Sequence, residues 1–168
     1  MKKIKNPLVN IHGYECFGCS RDNEHGLHMD FYLNEENKEV VCFWEPQKQF
    51  QSWTGILHGG IQCTMIDEIA AWANQYYLKT CGVTAKMETK YIKPVRTDQG
   101  QLTLRSKIDH SIKNITIVKT KIFNYEGELC TKATSTFFNY PQEIAIEKFR
   151  YQDLELEEEK QQAYKSSF

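Results

Sequence analysis

One stretch limits the possible folds of this 168-residue chain more than any other. Over residues 58–80, Ile61, Met65, Ile66, Ile69, Ala70, Trp72, Ala73, Tyr76 and Tyr77 share one broad face of a helical wheel turning about 100° per residue. Only Gln62 interrupts that arc, and Gly82 reads as the stop. A helix apolar over so much of its circumference must be mostly buried, so the rest of the chain has to surround it.

The flanking sequence supplies strands for that purpose. Leu27, Met29, Phe31 and Leu33 alternate with polar or amphipathic residues, which predicts a strand over 27–33 with His28 facing outward. Residues 38–44 predict a second strand that ends near Pro46, after a turn at Glu35-Glu36-Asn37. Beyond the helix, Ala85, Met87 and Tyr91 alternate with Lys86, Glu88 and Lys90 up to Pro94. Leu102, Leu104 and Ile108 continue the period. Residues 115–123 are rich in Ile, Val and Thr, and the Glu126-Gly127 turn hands them on to 129–138. Long strands joined by hairpins imply an antiparallel sheet, so the expected class is α+β, a sheet wrapped around one central helix. Residues 1–140 are expected to form one domain. The stretch 141–168 carries Asp153, Glu155, Glu157, Glu158 and Glu159; it predicts a charged, solvated helix that docks through Phe149, Tyr151 and Leu154.

Composition narrows the function. Lys and Arg number 21 against 22 Asp and Glu, a net charge of −1, which gives no electrostatic ground for a nucleic-acid partner. A mean hydropathy of −0.59 and no long uncharged apolar run predict no membrane-spanning helix. Asn6 and Pro7 fall where a signal peptide would need apolar residues, and the six cysteines read as reduced thiols, so a cytoplasmic location is expected. Cys16, Cys19, His25 and His28 are four zinc-ligand types within thirteen residues, at a spacing that matches no standard finger; a turn leading into the first strand is the plainer reading.

The start of the helix is where the chemistry concentrates. In Leu57-His58-Gly59-Gly60 the unpaired N–H groups of a helix N-terminus meet two glycines, which let a substrate carbonyl approach those donors. Such a site suits the oxyanion of acyl transfer; the same glycines would equally suit a chain that only turns into the helix. Further along, Asp67 falls about 60° beyond the apolar arc among Cys63, Ala71 and Asn74, whereas Glu68 falls beside Thr64 and Gln75 on a face expected to be solvated. An acid among small side chains needs a partner or a use, which favours Asp67. Gly59 and Asp67 stand about 12 Å apart along the helix, too far to act on one carbonyl. If both are catalytic, a two-fold dimer must bring Gly59 of one chain to Asp67 of the other.

His58-Gly59-Gly60, followed after six residues by Asp67-Glu68, resembles the hotdog-fold acyl-CoA thioesterases of the phenylacetate-pathway and 4-hydroxybenzoyl-CoA type. Cys16-Phe17-Gly18-Cys19 with Gly26-Leu27-His28-Met29-Asp30-Phe31 is similar to the Cys-rich N-terminal segment of many members. The likeness covers about residues 14–140. It implies a hotdog fold and hydrolysis of acyl-CoA thioesters at a site shared across a homodimer, with a possible further pairing of dimers. Coenzyme A would be part of the substrate, with no metal or bound cofactor. It also implies roles. The Gly59 N–H polarises the thioester carbonyl, with Gly60 beside it. Asp67 acts as general base or nucleophile, Thr84 helps hold the attacking water, and His58 orients the loop. Many members carry Asn or Gln where this chain has Ser52, with Gln51 adjacent. Lys86, Lys90, Lys93 and Arg96 are candidates to meet the coenzyme A phosphates, and Trp53, Trp72 and Tyr76 are assigned chiefly to core packing. The alternatives are a non-catalytic acyl-CoA-binding or regulatory hotdog protein, which keeps the cleft while Asp67 serves structure, and a hotdog dehydratase, which the His-Gly-Gly start fits less well.

Overall fold

The computed structural model describes residues 1–9 and 11–157. Its strands are β1 (Lys2–Lys3), β2 (Tyr32–Asn34), β3 (Glu39–Trp44), β4 (Gly82–Tyr91), β5 (Leu102–Ile112), β6 (Ile115–Phe123) and β7 (Leu129–Asn139). The helices are α1 (Gly59–Leu78) and α2 (Gln142–Phe149). All seven strands join one sheet in the order β1-β2-β3-β5-β6-β7-β4, and each neighbouring pair is antiparallel. The sheet packs against α1 through β3 to β7, the sheet around one helix expected from the apolar pattern and the hotdog arrangement that the resemblance implies.

Periodicity explains the core. Met65, Ile66, Ile69, Ala70 and Ala73 are fully buried on α1 and meet Leu104, Val118, Ile122 and Phe137 from alternate positions of the sheet. Each large apolar side chain so removed from water contributes about 1.5–3 kcal/mol. Gln62, the one polar residue in the apolar arc, is buried and satisfied: its Nε2 donates to the Leu57 carbonyl at 3.3 Å and its Oε1 accepts from Thr131 Oγ1 at 2.6 Å. It therefore ties the start of α1 to β7.

Several expectations are corrected. The segment 27–33 is a strand only from Tyr32, yet its alternation holds: Leu27, Met29, Phe31 and Leu33 are all buried and His28 is half-exposed. The backbone of 27–29 bonds instead to the Cys16–Cys19 turn (Leu27 N to Phe17 O, 2.7 Å; Met29 N to Gly18 O, 2.9 Å), and His28 adopts a φ of 52°. Burial and ladder bonding are thus separable here. The helix ends at Leu78 with Lys79 in the left-handed conformation, two residues short of the expectation, and Gly82 is not its stop. Gly82 begins β4, where a Cβ would collide with Asn139 and with the Phe138 carbonyl 2.7 Å away, so glycine serves a close approach of two strands. Trp53 is 82% exposed and takes no part in the core, whereas Trp72 is buried and stacks on Phe31 with centroids 4.6 Å apart.

The stretch after β7 forms α2 and then runs extended, with Tyr151 and Leu154 buried and Phe149 against the Tyr140 ring. Lys5 N donates to Glu155 O and Glu157 N to Lys3 O, both at 2.8 Å, so this extended piece pairs with the N-terminus instead of continuing the expected helix. Residues 158–168, where the helix was also expected, lie outside the described residues.

Candidate active site

His58 starts α1. Its Nδ1 accepts from Gly60 N at 2.9 Å, while the His58 carbonyl takes the Gln62 N–H at 3.1 Å. A side-chain cap of this kind satisfies one of the orphan donors of a helix start. The Gly60 N–H is therefore committed to His58, and the Gly59 N–H has no protein acceptor among the described residues. The two glycines, grouped together from the sequence, thus differ: Gly59 has the open donor and Gly60 braces the turn.

Tyr91, at the end of β4, was not singled out from the sequence. Its hydroxyl donates to the Gly59 carbonyl at 2.9 Å and lies 3.0 Å from Cys63 Sγ. Burial, followed by the Cys63 hydrogen bond, pushes its hydroxyl up to about 12, so it remains a neutral donor at physiological pH. A Cβ on Gly59 would sit 3.2 Å from this hydroxyl, so the ring also sets how bulky residue 59 can be. A cleft of about 360 Å³ opens here, lined by Ser52, Leu57, Gly59, Tyr91, Ile92 and Lys93. Ser52 therefore stands on the Gly59 side. Gln51 lines a separate cleft on the Gly60 side, and its Oε1 is taken by the Gly55 N–H at 2.9 Å.

Two turns along α1, Asp67 is half-buried and Thr84 Oγ1 donates to its Oδ1 at 2.6 Å. Strict alternation would place Thr84 with Lys86, Glu88 and Lys90 on the outer face of the sheet. The register explains why it is not there: Thr84 pairs with Phe137 but Lys86 pairs with Thr136, so Ala85 is an extra residue in a β-bulge. The bulge turns Thr84 to the inner face, the face of buried Phe137, where it reaches Asp67. Asp67 Oδ2 has no donor among the described residues.

The four candidate cations are mostly engaged. Lys93 donates to Glu128 at 2.7 Å, Arg96 grips Asp98 at 2.7 and 3.0 Å, and Lys86 lies 3.6 Å from Glu88. Lys90 stands in register with Lys132, itself opposite Lys121, on the outer face of the sheet.

Glu68 overturns the expectation of a solvated face. Its carboxylate oxygens lie 3.4 and 3.5 Å from Cys16 Sγ, and Trp72 Nε1 donates to Oε1 at 3.1 Å. Burial, reinforced by Cys16, pushes its carboxyl up to about 7. A hydrogen bond from Cys19 draws Cys16 down to about 5, and Cys19 is pushed well above the usual thiol range. The two histidines grouped with these cysteines in the sequence are not part of this cluster. His25 is exposed, and His28 Nε2 bonds to the Asn23 carbonyl at 2.7 Å.

Residues 54–131 match the family model described as the thioesterase superfamily. A hypothetical thioesterase from Streptococcus pneumoniae TIGR4, crystallised with coenzyme A, is 28% identical; the match covers 62% of this chain and 80% of that one, with a TM-score of 0.58. Two mutants of that pneumococcal protein, one with an aspartate and one with a threonine changed to alanine, are similar at 27% identity. A solved thioesterase superfamily protein at 20% identity shares the fold, with a TM-score of 0.62 over 67% of this chain and 57% of its own. Among curated proteins, a “Putative esterase” of Saccharolobus solfataricus is 29% identical over 91 residues, 51% of this chain. The match spans 57% of that relative's length.

Proposed function

We propose, for a chain whose residues 54–131 match the thioesterase superfamily, hydrolysis of acyl-CoA thioesters by water at a site shared between two copies. The observation that carries this reading is the Thr84–Asp67 hydrogen bond on an open flank of α1. One carboxylate oxygen is held and the other is left to face a substrate or water. The pneumococcal relative, with coenzyme A bound and with an aspartate and a threonine chosen for mutation, supports both the ligand class and the pair of residue types.

In this reading the Gly59 N–H of one chain receives the thioester oxygen as negative charge develops on it. Removing such a donor typically costs about 2.7–4 kcal/mol. Asp67 of the other chain acts as base toward water or attacks the carbonyl itself, and Thr84 fixes its orientation. The carbon–sulfur bond breaks, a carbon–oxygen bond to water's oxygen replaces it, and the thiol of coenzyme A leaves with a proton. His58 holds the turn, Gly60 completes it, Ser52 borders the Gly59 cleft, and no bound cofactor takes part.

Gly59 and Asp67 lie eight residues apart on one helix, about 12 Å, so if both act on one carbonyl the helix geometry supports a site built from two chains. The surface around them is suited to a second copy. Among the described residues β4 pairs only with β7 and ends the sheet, and Val83 and Tyr91 on it are 43% and 51% exposed. An open edge with apolar side chains invites pairing. A two-fold axis near Cys63, midway between Gly59 and Asp67, would bring the two halves together twice. No helix among the described residues is long and apolar enough to cross a membrane.

The test is thiol release over a panel of short, long and aromatic acyl-CoAs, with wild type and Asp67→Asn. Turnover of at least one substrate by wild type, with kcat down by about 100-fold or more in the mutant, is expected. Binding without hydrolysis by wild type would favour the acyl-CoA-binding alternative and overturn catalysis. Light scattering should give twice the 19.7 kDa of one chain; a monomer that retains activity would eliminate the shared site.

A further inference from the structure

On the flank of α1 opposite the Asp67–Thr84 pair, Cys16, Cys19 and Glu68 converge, with one ligand atom from each lying within 4.8 Å of the others. From these residues we infer that the chain binds one zinc ion through the Cys16 and Cys19 thiolates and the Glu68 carboxylate, with the fourth position left to water. The inference does not depend on the proposed hydrolysis, since none of these residues belongs to that machinery.

Three observations carry it. The first is spacing. Two cysteines separated by two residues are a recurrent zinc pair, and tetrahedral zinc with bonds of about 2.3 Å to sulfur and 2.0–2.2 Å to oxygen separates a sulfur and an oxygen ligand by about 3.5 Å. Cys16 Sγ and the two Glu68 oxygens stand 3.4 and 3.5 Å apart.

The second is that the turn is shaped around the carboxylate. A Cβ on Gly18 would lie 2.5 Å from the Glu68 carboxylate, so a glycine between the two cysteines admits this acid, and any other residue would displace it. Backbone bonds hold the turn in place: Ser20 N to Cys16 O at 3.0 Å closes it, and those from Leu27 and Met29 anchor it to the segment behind. Trp72 Nε1, one turn along α1, donates to Glu68 Oε1 and orients the carboxylate as outer hydrogen bonds do around metal ligands.

The third is charge. Glu68 enters none of the ion pairs among the described residues. A carboxylate enclosed with two thiols and no cation is costly to bury. A divalent cation removes that cost, and the soft sulfur ligands select zinc over magnesium or calcium. A cavity of about 250 Å³, lined by Tyr14, Cys16, Glu68, Trp72 and Cys81 among others, gives the ion a path and the open position room for water.

The full chain, purified under reducing conditions and stripped by chelator, is titrated with cobalt(II) and then with zinc. One equivalent of cobalt per chain should produce thiolate-to-cobalt absorption and a tetrahedral visible spectrum, both removed by zinc. Cys16→Ser and Cys19→Ser should each abolish the sulfur band, Trp72→Phe should weaken zinc binding by about 10–100-fold, and His25→Ala with His28→Ala should leave it unchanged. Because the cysteine variants can fail for want of folding, the wild-type chain supplies an independent readout: zinc should raise its melting temperature and be retained at one per chain through desalting. The inference is overturned if wild type gives no sulfur band with cobalt, or if the band survives in the Cys16→Ser/Cys19→Ser double variant.

Discussion

Asp67 and Glu68 are adjacent acids on one helix, yet the fold treats them in opposite ways. About 100° of helical rotation sends them to different flanks of α1. On the Asp67 side the chain leaves the flank open: β4 is an edge strand, Thr84 holds one carboxylate oxygen, and the other oxygen has no donor among the described residues. On the Glu68 side the N-terminal segment closes over the helix, placing Cys16, Gly18 and Cys19 against the carboxylate and Trp72 behind it. The lesson is that a carboxylate's use is set by what packs over its flank. An open flank gives a group that can meet substrate; a closed one gives a group that can hold an ion or a loop.

Mixing experiments test that contrast most severely. Asp67→Asn and Gly59→Val chains should each be inactive alone. Equal mixtures, unfolded and refolded together, should recover about a quarter of wild-type activity, because half the dimers are mixed and each mixed dimer has one intact site. Recovery of nothing would mean that Gly59 and Asp67 do not meet across chains.

Next in size is Thr84→Ala, which removes a hydroxyl donating to a charged group. At about 1.5–3 kcal/mol for such a bond, kcat should fall by roughly 10–100-fold. Thr84→Ser should restore most of the loss, and unchanged rates in the alanine variant would show that Asp67 needs no such support.

The closed flank should respond in stability and leave turnover nearly intact. Glu68→Ala leaves the Trp72 N–H unpaired and should cost about 1–3 kcal/mol in chemical denaturation, while kcat stays within about two-fold on the reading that only Asp67 meets substrate. A 100-fold loss of rate would erase the distinction between the two acids. The smallest effect is expected for Tyr91→Phe, which removes one neutral hydrogen bond to the Gly59 carbonyl. About 0.5–1.5 kcal/mol should appear in kcat/KM, with little change in melting temperature.

Much of the architecture could be read before folding. Period 3.6 over 58–80 and period 2 elsewhere are local signals, and they correctly placed a buried helix among antiparallel strands. The same signals went wrong where a contact comes from far along the chain. Glu68 looked solvated because a helical wheel carries no information about Cys16, 52 residues upstream. Residues 27–29 alternate like a strand but bond to a cysteine turn. Gly82 looked like a helix stop because its neighbours Phe138 and Asn139 on β7 are distant in sequence.

By itself the sequence determined the helix, its apolar face, the glycines at its start and the separation of about 12 Å between Gly59 and Asp67, since all of these follow from fixed helical geometry. Only the tertiary structure decided which donor stays open, through the His58 cap on Gly60. It alone turned Thr84 inward, because Ala85 bulges against the register of β7. And it alone closed one flank of α1 while leaving the other open. Local geometry is written in neighbouring residues, whereas the surroundings of a side chain are set by whichever distant strand or loop must bury its own apolar face there.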